Sequence, residues 1–137
     1  MKREYLYRGK RPDTEKWVYG SLLQWKDGTC EICVENEDGI LEKHTVFRDS
    51  VGQYTGLRDR NGLTMLFEGD VVKDNYGNIG VITYSDHFLN WRIVFHKARP
   101  DLIGEYGCHI FEWTYPENIL EVIGSIHDNP DLLKETA

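Results

Sequence analysis

Cysteine, methionine and proline are scarce in this chain: three, two and four among 137 residues. An odd, low cysteine count does not make the disulfide framework that holds small secreted domains together. The fold must therefore rest on a packed core, and a chain of this length can bury one without disulfides or metal. No apolar run approaches the roughly 18 residues of a membrane-spanning helix. The opening MKREYLYRGK has no apolar stretch of the kind a signal peptide needs. The expectation is a cytoplasmic protein with no membrane association. Helix signals are also few. The clearest is Asn129-Pro130-Asp131, an N-cap residue with proline and an acid behind it, which predicts a short C-terminal helix. A single turn near Pro116-Glu117-Asn118 is a weaker expectation.

Aromatic residues are plentiful, with four Trp and eight Tyr. With methionine so sparse, that balance favours β-rich packing over a helical bundle. Net charge is −7 with a pI near 5.2, which argues against nucleic-acid binding as a default. The charge is uneven. Residues 1–16 hold six basic and three acidic side chains, a net of +3 that leaves −10 for the rest. Such an arm could meet phosphate or another subunit's acidic face, but an edge strand guarded by lysine and arginine is favoured about two to one.

Alternation of period two runs through the chain. It places Trp17, Tyr19, Leu23 and Trp25 on one face, then turns at Lys26-Asp27-Gly28, Asp-Gly being a strong hairpin pair. The return strand 29–35 places Cys30, Ile32 and Val34 inward, and Asn36-Glu37-Asp38-Gly39 turns it again. A further hairpin is predicted from 81–84 and 89–96 across Ser85-Asp86-His87, with Leu89, Trp91, Ile93 and Phe95 on one side. Strands are also expected over 108–113 and 119–126. The predicted class is mainly β: antiparallel hairpins forming a small SH3-like barrel plus an additional β element, with the short C-terminal helix, and α+β as the alternative. One domain over 1–137, with sub-halves 1–50 and 51–137, fits the pattern.

Chemistry-bearing motifs are weak. Cys30-Glu31-Ile32-Cys33 has redox spacing, but within a strand the two thiols point to opposite faces. Cys108 and His109 are adjacent and equally unsuited to share a zinc. The five histidines, His44, His87, His96, His109 and His127, fall in turns and strand ends with no nucleophile elbow beside them. In VGQYTGLRDRNGLTMLFEGDVV the acids and amides nearly match a calcium loop. Its first ligand position is Leu57, and its flanks are strands. No Gly-Lys-Ser/Thr follows, so it is not a phosphate loop. Asn61-Gly62 instead predicts a hairpin, and Glu68-Gly69-Asp70 a bend. Glu68 and Asp70, two apart, suggest at most a carboxylate pair for a metal-dependent hydrolase. The turn would display Tyr54, Arg58 and Arg60, the candidate interaction surface. No catalytic, cofactor or metal residues are assigned.

Three segments, YRGKR…WVYGSL, QYTGLRDRNG…EGDVV and EVIGSIHDNPDLL, occur in an order that resembles the YopX family over roughly Tyr5 to Leu133. The chain departs from the family pattern at Leu63-Thr64, where a charged or polar pair usually follows Asn-Gly. The resemblance implies a protein encoded mainly by bacteriophages and prophages, with no established enzymatic activity or cofactor and a tendency to homo-oligomerise. The expected function is a non-enzymatic accessory protein acting through protein contacts, on itself or on a phage or host protein. A nucleic-acid-binding small barrel is the alternative, and a metal-dependent hydrolase is less favoured.

Overall fold

Residues 4–110 and 120–134 are described by the computed structural model. Among them are eleven strands and three 3-10 turns. The chain divides into two units, Met1–Tyr54 and Thr55–Ala137. In the first, β1 (Tyr7–Lys10), β2 (Trp17–Gln24), β3 (Cys30–Glu35), β4 (Leu41–Val46) and the start of β5 (Gly52–Arg58) lie antiparallel in the order β4-β3-β2-β1-β5. In the second, β6 (Met65–Phe67) lies beside the later half of β5. A separate sheet there orders β10 (Cys108–His109), β9 (Asn90–Lys97), β8 (Ile79–Ser85), β7 (Asp70–Lys73) and β11 (Glu121–Ser125). The fold is mainly β and antiparallel, and no pairing among the described strands joins β10 to β11.

Alternation decides which residues share a face, and burial decides which face is inner. In β3, Cys30 and Ile32 are buried as expected, with Val34 packed against them. In β2 the Trp17, Tyr19, Leu23 face is the outer one. Tyr19 and Trp25 are exposed, and the core instead takes Val18 and Leu22. The guanidinium of Arg8 lies 4.3 Å from the centre of the Trp17 ring, a cation–π contact that covers this large outward side chain.

The second unit's core gathers Leu66, Val72, Ile82, Ile93, Phe95, Leu102, Ile110 and Leu120, with Trp91 against it. Leu89 departs from its expected place beside Ile93 and Phe95. It is 73% exposed with φ +55°. The turn runs over Asp86–Leu89 rather than stopping at His87, so the left-handed position falls on this leucine. In β5, Gly52 and Tyr54 are buried, but Gly56 has φ +90° and the alternation restarts, bringing Leu57 onto the second unit's core. Glycine inside a strand marks a bulge of this kind.

The expected C-terminal helix is a single 3-10 turn, Pro130–Leu133. Asn129 does not cap it. Its carboxamide oxygen accepts from the Ser125 N–H at 3.3 Å instead, leaving nothing to nucleate a longer helix. The expected turn at 116–118 and the strand portions at 111–113 and 119 lie outside the described residues.

The turns share one chemistry. Asp74 is buried, and its Oδ1 accepts from the N–H groups of Tyr76 and Asn78, both at 2.9 Å. Its Oδ2 accepts from Asn78 Nδ2 at 2.8 Å. Asp59, also buried, accepts from the N–H groups of Asn61 and Thr64. Asp27 accepts from Thr29, and Asn36 from Asp38 and Ile40. The hydrogen bonds from the Thr29 side chain and backbone hold the Asp27 carboxyl below the usual carboxylate range. A depressed pKa stabilises the folded turn above the ordinary carboxylate value, and that contribution is lost as pH falls through the depressed one.

Asp74→Ala is expected to cost about 3 kcal/mol in urea unfolding, because it strands buried donors. Asp86→Ala, at an exposed turn position, should stay within about 0.5 kcal/mol. A loss below about 1 kcal/mol for Asp74→Ala would show that the turn closes without its carboxylate.

Candidate binding cleft

Apolar and aromatic residues occupy the β8–β9 turn, where polar ones are the rule. Phe88 is 48% exposed, and Ser85 Oγ accepts from its N–H at 3.1 Å. Beneath the turn, Tyr84 and Trp91 are direct cross-strand partners. Their rings meet edge to face at 5.2 Å, the geometry aromatic pairs prefer.

A second segment, residues 103–107, comes up against this hairpin just before β10. It crosses β9 so closely that a Cβ at Gly107 would fall on the Ile93 carbonyl, and Gly107 itself has φ +67°. Only glycine meets both demands without strain. Arg92 ties the two pieces together. Its Nε donates to the Tyr106 carbonyl at 2.7 Å and its Nη2 to the Gly107 carbonyl at 2.9 Å. The same guanidinium lies 4.4 Å from the centre of the Phe88 ring. His87 stacks on Tyr106 at 4.2 Å and 16° between planes, and Phe88 stands edge-on to both.

These contacts shape an open cleft of about 330 Å³ lined by Thr83, Tyr84, Asp86, His87, Glu105 and Tyr106, with Ser85, Arg92 and Val94 completing it. Tyr106 stays 44% exposed although the His87 and Phe88 rings hold it in place, whereas the Tyr84 ring lies with Trp91 on the other face of the hairpin. A preorganised aromatic surface of this kind can bind without first paying the cost of ordering its side chains.

The residues singled out in the sequence lie elsewhere. Tyr54 is not displayed. It is 7% exposed, on the buried side of β5, because strand alternation continues through it up to Gly56. Arg58 and Arg60 are exposed. Arg58 donates to the Leu63 carbonyl across the turn, and Arg60 Nη1 stands 4.0 Å from Glu121. The three do not form one surface.

Glu68 and Asp70 do not share a strand face. Glu68-Gly69 is the turn between β6 and β7, and Asp70 is buried with its Oδ2 accepting the Phe67 N–H at 2.7 Å. Cys30 is buried and Cys33 half-buried on the opposite face of β3. Among the described residues no three His, Cys, Asp or Glu side chains gather as metal ligands.

The cleft is not legible in the sequence because its residues are far apart, with β9 between the two segments. One signal was available. The six-residue segment Ser85-Asp86-His87-Phe88-Leu89-Asn90 puts two large apolar residues where a turn normally carries glycine or asparagine.

Arg92→Met should release the 103–107 segment. The expected signature is loss of the ring-current shifts of His87 and Tyr106 in the NMR spectrum, with about 2 kcal/mol of destabilisation. Arg92→Lys should not restore it, since an ammonium cannot make the forked pair of bonds. Unchanged ring-current shifts in Arg92→Met would mean the segment is held by other contacts.

Comparison with curated proteins finds no match. A family model described as YopX protein matches residues 6–134. That span contains both sheets and the whole cleft, and the chain belongs to the YopX family.

Proposed function

We propose that this chain is a non-enzymatic accessory protein that works by binding another protein through the β8–β9 cleft. The observation that carries the reading is the ring cluster itself: Phe88 and Tyr106, each more than two-fifths exposed, are oriented by Arg92, by His87 and by one another. Aromatic residues at preformed surfaces are the usual anchors of protein interfaces. The buried acids Asp59, Asp70 and Asp74 each accept backbone N–H groups, which gives them a conformational task in place of a catalytic one. On this reading the protein acts in the cytoplasm of a phage-infected or prophage-bearing cell. Its partner is a phage or host protein or a second copy of itself.

A nucleic-acid-binding small barrel is the second reading. It is favoured by the order β11-β7-β8-β9-β10, a meander whose last strand returns beside its first, which is how we read an SH3-like element in the second unit. Exposed aromatics could stack bases. Against it, Asp86 and Glu105 on the cleft would repel phosphate.

Affinity capture from prophage-induced cells, with light scattering of the purified chain, tests the first reading. The expected result is a partner, or a self-associated species, lost in Phe88→Ser/Tyr106→Ser and retained in Tyr76→Ser, a change at an exposed tyrosine outside the cleft. A monodisperse monomer with no capture sensitive to the double variant would overturn it. Gel shifts with single- and double-stranded DNA and RNA at low salt, where attraction is strongest, would then support the barrel reading if positive.

A further inference from the structure

The charges on the cleft select its occupant. Three Asp, Glu or Arg side chains line it, Asp86, Arg92 and Glu105. Arg92 is engaged, its guanidinium bonded to two carbonyls and packed on Phe88. Asp86 and Glu105 have no hydrogen-bond or ion-pair partner among the described residues. Two carboxylates without a partner among the described residues therefore stand in the same cleft as His87 and Tyr106, whose rings are stacked.

Carboxylates attract cations, and so does the negative face of an aromatic ring. A phosphate would meet two like charges here, and a purely apolar group would bring nothing to the carboxylates. The volume of about 330 Å³ is at the small end for ligand pockets, about 300–1,000 Å³, so the cleft suits a side chain better than a folded surface. The net charge of −7 adds a long-range field of the same sign.

Building on the reading of this cleft as a protein-binding surface, we infer that it takes a cationic side chain, a lysine or arginine presented by a basic segment of the partner. The rings hold the aliphatic stem and the face of the charged group, and Asp86 and Glu105 receive its N–H donors.

The test is NMR titration of the isotopically labelled full chain with single residues of arginine, lysine and norleucine, each acetylated at the amino end and amidated at the carboxyl end. The cationic probes should shift the amide signals of residues 84–87 and 105–106 with dissociation constants on the order of 1 mM, and norleucine should not. Asp86→Asn/Glu105→Gln should weaken binding about tenfold. Glu37→Gln/Asp38→Asn removes the same charge at an exposed turn outside the cleft and should leave binding unchanged.

Shifts spread over the acidic surface, equal weakening in both double variants, or no response at all would overturn the inference. So would oligothymidine shifting the cleft residues in place of the cations. If the probes fail while partner capture still depends on Phe88 and Tyr106, the cation assignment falls and the protein-binding reading stands. If the probes bind the cleft but no such capture occurs, the cation site stands and the protein-binding reading falls.

Discussion

Backbone N–H groups turned inward at tight turns must find an acceptor, and in this protein an Asp or Asn side chain repeatedly supplies it. Asp27, Asn36, Asp59 and Asp74 each accept from donors two to five residues ahead, and Gly28, Gly39, Gly62 and Gly77 take the left-handed position in the same turns. Asp70 does the reverse, reaching back to Phe67 around Glu68-Gly69. The buried Asp59, Asp70 and Asp74 satisfy groups that would otherwise be costly to bury, Asp27 and Asn36 make the same bonds at exposed turns, and each glycine removes a steric penalty. With the turns held locally, the strands between them need only alternate correctly to pack.

The same device governs what the acids can do. Asp59, Asp70 and Asp74 are buried and accept backbone N–H groups, so each has a conformational task. The carboxylates at Asp86 and Glu105 differ because the segments around them are organised by other means: a serine hydroxyl, an arginine bonded to two carbonyls and a stack of rings. That Asp86 and Glu105 have no partner among the described residues follows from how the second unit's cleft is built. Aromatic contacts and the Arg92 bonds orient the cleft in place of its carboxylates.

Much of the fold was legible from sequence. Asp-Gly, Asn-Gly and the Asp74–Asn78 run announced turns at the right places, and the Cys30-Ile32-Val34 alternation identified an inner face. Legibility failed where local rules leave a binary choice open. Period two puts Trp17, Tyr19 and Leu23 together but is silent on whether they face the core, and here Val18 and Leu22 do. Tyr54 precedes a turn-rich segment and reads as displayed, yet the strand extends through it and only Gly56 changes the phase. Asn129 has the identity of a helix cap, but the Ser125 N–H takes its oxygen.

The class of the protein, its turns and its family were readable residue by residue, because each rests on contacts between residues close in the chain or on motifs readable in order. The tertiary structure alone decided the cleft. Arg92 and Tyr106 are fourteen residues apart, and nothing in either neighbourhood specifies the other. They meet because β9 pairs with β10 and Gly107 lets the preceding segment cross it closely. That pairing brings His87, Phe88 and Tyr106, which no local rule of sequence joins, into one ring cluster.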